Sequence, residues 1–270
     1  MLKDISIGQF FPGKSIVHRL DPRIKILLVF GFIITLFIVR NLVSFGLIIL
    51  FLAVTIFTAK IPVKTVLKSL KPILPLILFT AILNIFFIDG HVLFRWGWIR
   101  ITEDGIRLAV LMVIRIVCLI TGASLLTYTT SPLALTDAIE RLLSPLKKIH
   151  FPVHEMAMMM TIALRFIPTL IEETDKIMSA QKARGADLET GGLMKRAKAL
   201  VPILIPLFVS AFRRAEELAL AMECRCYRGG EGRTRMKQLK LTASDWVIAV
   251  FVTAFYIVGI LMNLWIPALF

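Results

Sequence analysis

A chain of 270 residues with 57% hydrophobic residues and a mean hydropathy of +0.82 is too apolar for a soluble globular domain. Its net charge of +14 would suit nucleic-acid binding, but its basic residues are not interleaved with aromatic ones and form no groove-reading motif. No nucleic-acid partner is therefore expected. The composition predicts an integral membrane protein in contact with the lipid bilayer. It is expected to be all-α, because a helix satisfies its own backbone polar groups in lipid.

Five apolar runs are candidates for transmembrane helices. Roughly 20 apolar residues cross a bilayer as a helix, since each residue rises about 1.5 Å through about 30 Å of hydrocarbon. The runs are residues 24–39, 42–59, 72–88, 106–126 and 246–270. They predict an N-terminal region with transmembrane helices 1–4 in residues 1–130, and a C-terminal transmembrane helix in residues 241–270.

The basic residues predict the orientation of these helices. The N-terminal segment through Lys25, the segment between the second and third runs, and the segment between the fourth and fifth carry five, four and eighteen of the 32 Lys and Arg residues. Loops rich in Lys and Arg stay on the cytoplasmic side. The chain is thus predicted to cross the membrane with a cytoplasmic N-terminus and an outward C-terminus.

The segment between the fourth and fifth runs, residues 131–240, is too long for an unstructured loop and predicts a cytoplasmic domain of about three helices. The first helix starts with Ser131 as N-cap and Pro132 at the first helical position. The second is expected to end at Gly185 and the third at Gly229–Gly230, because glycine commonly ends helices.

The second and third of these helices are apolar nearly all round, so they need burial against lipid, each other or a partner. The second helix carries a group of methionines, whose flexible side chains suit adaptable interfaces. These are Met156, Met158, Met159 and Met160. For any one of these methionines, core packing is the favoured interpretation. For the domain as a whole, a partner-binding apolar surface is favoured.

Two helix ends in this domain resemble each other. "AQKARGA" (180–186) and "AMECRCY" (221–227) both read Ala-x-x-small-Arg-small, with Arg184 and Arg225 41 residues apart. Small neighbours leave each guanidinium prominent, so that it can make forked hydrogen bonds to a partner. One such arginine alone would be an ordinary solvated charge at a helix end. Two of them predict a pair of docking points for a two-fold or pseudo-two-fold partner.

Other chemistry is poorly supported. The chain has no phosphate-binding loop, so any ATP and Mg would be held by another subunit. Cys224 and Cys226 supply at most two of the four ligands that zinc needs, and neither metal, redox nor disulfide chemistry is expected.

Two alternative functions in the membrane are also disfavoured. The histidines lie outside the apolar runs, which argues against an intramembrane enzyme. A self-sufficient permease would need charged groups along its pathway, and the second, third and fifth runs carry almost none. Arg115, in the fourth run, is expected to pair within the helix bundle or to reach the interface.

The paired arginine motifs resemble those of the transmembrane T component of energy-coupling factor (ECF) transporters, the EcfT/CbiQ family. Ala183, Arg184 and Gly185 match the family's Ala-Arg-Gly motif fully. At the second copy Arg225 matches, while its neighbours are Cys224 and Cys226. The segments "SIVHRLDPRIK" (15–25) and "YRGGEGRTRM" (227–236) also resemble this family. Independently of the family, Asp21 is expected to cap a helix that has Pro22 at its first position.

The resemblance implies a non-enzymatic scaffold that binds two related ABC ATPase subunits, expected as a heterodimer, with one arginine motif docking on each. It further implies a small membrane S component that binds a vitamin or other micronutrient. The methionine-bearing faces would contact that component, and their adaptability favours interchangeable S components. The alternatives left open are a self-sufficient permease and an intramembrane enzyme.

Overall fold

The computed structural model describes residues 10–88, 91–96, 99–186, 192–229 and 239–265. The all-α membrane fold class is confirmed, with one addition, a short antiparallel hairpin. The elements in chain order are α1 (Ile16–Arg19), α2 (Pro22–Ile38), α3 (Leu42–Ala59), α4 (Val63–Leu70), α5 (Leu74–Phe87), β1 (Val92–Trp96), β2 (Ile99–Thr102), α6 (Glu103–Thr129), α7 (Pro132–Leu143), α8 (Val153–Ala183), α9 (Leu193–Cys224) and α10 (Ala243–Trp265).

Four helical segments among the described residues are long and apolar enough to cross a membrane: α3, residues Val63–Phe87, α6 and α10. They contain the second to fifth predicted runs with two exceptions: residue 88 follows the last residue of α5, and residues 266–270 lie outside the described residues. The first predicted run forms α2, which is not among these four segments. With 17 residues, it is one residue shorter than α3. The third segment starts earlier than predicted, because α4 and a 3-10 turn at Lys71–Ile73 precede α5.

The chain divides into two compact units. One comprises residues 8–135 and 238–270, contains all four candidate spans, and is called the membrane unit below. The other contains residues 136–237 and is called the insert unit. Helices α8 and α9 lie wholly within the insert unit.

The core of the membrane unit is formed where α2, α3, α6 and α10 pack together. Phe51 on α3 stacks on Phe255 of α10, with 5.0 Å between ring centroids. The ring of Phe32 on α2 lies against Gly122 of α6, where an added Cβ would come within 2.5 Å of it. Small residues at such points let membrane helices approach closely.

The N-terminal segment of the membrane unit is fixed by charged side chains. Asp21 caps α2 as predicted: its carboxylate accepts from the Arg23 backbone at 2.8 Å, and Pro22 occupies the first helical position. The Lys25 ammonium is buried and donates to the carbonyl oxygens of Thr129 at 2.9 Å and His18 at 3.2 Å. Because Thr129 is the last residue of α6, Lys25 joins the start of α2 to the negative end of the α6 dipole.

His18 has a neighbour at each of its two ring nitrogens. Its Nε2 lies 3.0 Å from the Phe11 carbonyl oxygen, and its Nδ1 lies 2.7 Å from the Ser15 hydroxyl. Burial has the largest effect on the pKa of His18 and lowers it, the hydrogen bond to Phe11 raises it, and the charge of Lys25 lowers it. Because a carbonyl oxygen can only accept, Nε2 carries a proton and donates to Phe11.

Arg115 pairs within the helix bundle. Its guanidinium donates to the carbonyl oxygen of Val39 at 2.9 Å and lies 5.7 Å from the centroid of the Phe45 ring. Val39 follows the last residue of α2, so the cation satisfies a carbonyl at the negative end of that helix. This contact agrees with the expectation that Arg115 does not line a conduit.

Candidate functional site: two arginine helix ends

The two longest helices, α8 with 31 residues and α9 with 32, each place a motif arginine at their C-terminal end. Both helices continue through internal prolines, Pro168 in α8 and Pro202 and Pro206 in α9.

The start of α7, which precedes these two helices, is capped as predicted. The Ser131 hydroxyl accepts from the backbone N–H of Ala134 at 3.3 Å.

At the end of α8, Arg184 is the C-cap and Gly185 adopts a left-handed conformation with φ +86°. The Gly185 N–H donates to the carbonyl of Lys182, and the Ala186 N–H donates to that of Gln181, both at 3.0 Å. This pair of hydrogen bonds defines the Schellman motif, which satisfies carbonyls that a helix end leaves free. The predicted helix end at Gly185 is confirmed.

The end of α9 has the same hydrogen bonds, 41 residues further on. Arg225 is the C-cap, and Cys226 adopts the left-handed conformation with φ +56°. The Cys226 N–H donates to Glu223 at 2.8 Å, and the Tyr227 N–H donates to Met222 at 3.0 Å. The two sequence copies are therefore also copies in backbone geometry.

The prediction that the third helix ends at Gly229–Gly230 is wrong. The helix ends at Cys224, since the left-handed conformation of Cys226 turns the chain there. Gly229 also has a positive φ, of +88°, but it lies in the turn that follows, and Gly230 is outside the described residues.

All six predicted docking residues are exposed. They are Ala183, Arg184, Gly185, Cys224, Arg225 and Cys226. Within the described residues, neither the Arg184 nor the Arg225 guanidinium has a hydrogen bond or an ion pair. Each helix end thus presents an exposed cation between two small residues, on a turn held by backbone hydrogen bonds.

The left-handed position gives a test of what the site needs from Cys226. A Cβ in this conformation costs about 1 kcal/mol relative to glycine. Cys226→Gly should therefore raise the free energy of unfolding by about that amount, and the reciprocal Gly185→Cys should lower it similarly. Thermal unfolding of the purified chain in detergent measures both. The double variant Cys224→Ala with Cys226→Gly should keep transport activity. If it abolished transport, the thiols would be needed for more than their small size.

Glu173 of α8 and two residues of α9 join these helices. Its carboxylate accepts from the Arg214 guanidinium at 2.8 Å and from the Ser210 hydroxyl. Nearer the connection between the helices, Gln181 donates to the carbonyl of Pro202 at 3.4 Å. Residue numbers rise along α8 as they fall along α9, so the two helices run antiparallel at this contact. The arginine ends therefore point in opposite directions along the pair.

Comparison with known proteins identifies the family. The family model described as cobalt transport protein, CbiQ, matches residues 13–236, which include both arginine helix ends. The chain belongs to the EcfT/CbiQ family. It is 57% identical to the energy-coupling factor transporter transmembrane protein EcfT of Ruminiclostridium cellulolyticum, over 97% of this chain and 98% of that protein.

Two further relatives carry the same name. The EcfT protein of Clostridium kluyveri is 54% identical, over 98% of this chain and 99% of its own length. The EcfT protein of Bacillus subtilis is 47% identical, over 93% of this chain and 95% of its own length. The resemblance found in the sequence is therefore confirmed, and this EcfT/CbiQ member is a transporter membrane component.

The methionines of this EcfT/CbiQ member are only partly available to a partner. Met156 and Met158 are half-buried, whereas Met159 is 61% exposed and Met160 37% exposed. A larger apolar surface lies on α9, where large side chains recur at the spacing of one helix face. The α9 stripe is Leu200, Val201, Leu204, Ile205, Phe208, Val209 and Phe212, all exposed.

Sequence reasoning gave the methionines a specific role and missed the α9 stripe. The signal was present in the run "LVPILIPLFVSAF", but that run is apolar on every side, and its buried face could not be told from its exposed one. The structure separates them, because Ile203 is buried while its neighbours in the stripe are not.

The described residues contain no cluster of three or more His, Cys, Asp or Glu that could hold a metal ion. Cys118 is buried, Cys224 and Cys226 are exposed, and all three are free thiols. The His154 Nδ1 lies 3.1 Å from the Glu140 carboxylate, far along the chain from either exposed cysteine. The two cysteines flank Arg225 without any third ligand from these residues.

Proposed function

We propose that the chain is the energy-coupling subunit of an ECF-type importer, which transmits the motion of two ABC ATPase subunits to a membrane S component. The observation that carries this proposal is the repeated geometry of two exposed arginines. Arg184 and Arg225 occupy the same position of the same helix-ending motif. A site built twice in one chain fits a partner that is itself present in two related copies.

The chemistry of each helix end suits docking into a groove of an ATPase. A guanidinium presents five donors in a planar fork, which matches carboxylates and pairs of carbonyl oxygens. The flanking residues are Ala183 and Gly185 in one copy, and Cys224 and Cys226 in the other, and all of them are small. The helix end can therefore enter a groove without a steric conflict beside the arginine.

ATP and Mg are assigned to the ATPases and not to this chain, whose part is mechanical. On this proposal residues 131–240 form a cytoplasmic coupling domain, because ATP is available there and the segment carries eighteen basic residues. The N-terminus is then cytoplasmic and the C-terminus outside, in a bacterial cell membrane.

The S component is proposed to contact the α9 stripe together with Met159 and Met160. An unpartnered row of large apolar side chains needs cover from lipid or protein. Flexible methionines beside it would accommodate different partners, which fits interchangeable S components carrying vitamins or other micronutrients.

Co-expression tests this proposal directly. The tagged chain, produced together with candidate ABC ATPases and S components, should purify as a complex with two ATPase subunits and one S component. Reconstituted in liposomes, the complex should take up substrate with ATP, and the chain alone should not. Uptake by the chain without partners would favour the permease alternative, and a chain that never retains ATPases would refute the coupling role.

A further inference from the structure

The contact centred on Glu173 uses both oxygens of one carboxylate. The Arg214 guanidinium donates to one oxygen at 2.8 Å, and the Ser210 hydroxyl donates to the other. The side chains of Glu173 and Arg214 are 21% and 36% exposed, so the pair is only partly screened by solvent. We call Glu173, Ser210 and Arg214 the crossing cluster.

The crossing cluster lies at matching places in the two helices. Glu173 precedes Arg184 by 11 residues, and Arg214 precedes Arg225 by 11 residues. At 1.5 Å per residue, each motif arginine is about 16 Å along its helix from the ion pair. Because the helices are antiparallel here, these two lengths extend in opposite directions from one shared point.

Both lengths are uninterrupted helix. Pro168 is the last proline of α8 before the crossing cluster, and Pro206 is the last of α9, so neither helix has a proline between the ion pair and its arginine. Prolines weaken a helix by removing a hydrogen bond, and proline-free helix transmits displacement better. The relative direction of the two arginine ends is therefore decided where the helices are joined.

We propose that the crossing cluster is a positioning element that fixes the two arginine helix ends relative to each other. This inference rests on the proposed function. If each ATPase displaces its own helix end, a joined crossing turns the two displacements into one movement of the α8–α9 pair. With the cluster broken, each helix could follow its ATPase separately, and ATP would be hydrolysed with less transport.

The sequence supplies matched controls. Glu172 and Arg213 carry the same charges one residue earlier on the same helices, but both are exposed. Glu173→Gln and Arg214→Gln break the ion pair, and Glu173→Arg with Arg214→Glu exchanges its charges. Glu172→Gln and Arg213→Gln change the net charge equally without touching the contact.

The experiment compares these variants as complete complexes in proteoliposomes, measuring substrate taken up per ATP hydrolysed. Glu173→Gln and Arg214→Gln should each lower this ratio about fivefold, in line with the coupling between contacting residues. The exchanged pair should restore it to within about twofold, and the two controls should match the parent complex. A change in helix stability alone would not move transport and hydrolysis apart.

An unchanged ratio in both single variants would overturn the inference. So would an exchanged pair that behaves no better than the single variants, or variants that fail to assemble and are not rescued by the exchange. The proposed function itself is tested separately by the parent chain: if that chain binds no ATPase, the coupling role fails whatever the crossing cluster does.

Discussion

Reversing both motif charges, with Arg184→Glu and Arg225→Glu in one chain, should release the ATPase subunits. Each glutamate would repel the carboxylate and carbonyl oxygens to which the arginine is proposed to donate. Losing a docked arginine in this way costs about 2 kcal/mol of binding free energy per site, which lowers the affinity about thirtyfold. The two sites act together on one ATPase pair, so the double variant should lose about a thousandfold. Either single variant should keep a weakened complex through the helix end that remains. Co-purification followed by titration of labelled ATPase measures both.

The control for this variant is a second double reversal on the same two helices. Arg165→Glu with Arg213→Glu makes the same change in net charge at exposed positions away from the helix ends. It should leave the complex intact, except for a modest change in salt dependence. Equal losses in the two double variants would show that total charge, and not docking at the helix ends, holds the ATPases.

Gly105→Ala should destabilise the membrane unit more than a single added methyl group usually does. A Cβ at this position would lie 2.9 Å from the Asn84 carbonyl oxygen and 3.1 Å from that of Ile85. It would also lie 2.7 Å from the Thr102 hydroxyl oxygen, which accepts from the Gly105 N–H and caps α6. Backbone oxygens cannot rotate away, so α5 and α6 must separate or the cap must break. Overpacking and a lost cap together predict a loss of about 2–4 kcal/mol.

Thermal unfolding in detergent measures this loss, and Gly46→Ala is the matched control. Gly46 lies within α3, and an added Cβ there meets no atom within 4 Å. Alanine is also the better helix former, so this control should be neutral or slightly stabilising. If Gly105→Ala were as mild as Gly46→Ala, the close approach of α5 and α6 would not limit stability.

The parts of this fold that follow from local sequence were predicted. Apolar runs locate the candidate spans, because crossing a bilayer requires length and hydrophobicity whatever the helix packs against. Asp21 and Ser131 mark helix starts, since their side chains cap the backbone within three residues. Gly185 marks a helix end for the same local reason.

The end of α9 could not be predicted in this way. Glycine is preferred at the left-handed position, and Gly229–Gly230 was therefore the predicted end, yet the helix ends at Cys224 and the left-handed residue is Cys226. The likeness of "AMECRCY" to "AQKARGA" was the better guide, because it aligns Cys226 with Gly185.

The crossing cluster could not be predicted from the sequence, for a different reason. The 41-residue offset of the arginines aligns Glu173 with Arg214, but this alignment does not tell whether the two side chains are in contact. Which faces of two helices are in contact depends on tertiary packing and not on local sequence. The same holds for the α9 stripe, whose exposure depends on where α8 lies.

The distribution of thiols has a practical consequence. Cys118 is only 3% exposed inside the membrane unit, whereas the other two sulfur atoms flank Arg225 and are open to solvent. A maleimide dye or spin label applied to the unmodified chain will thus attach beside one arginine helix end and spare the interior. The protein carries a built-in attachment point for spectroscopy at one end of the α8–α9 pair, and Ala183 and Gly185 leave the other end unlabelled.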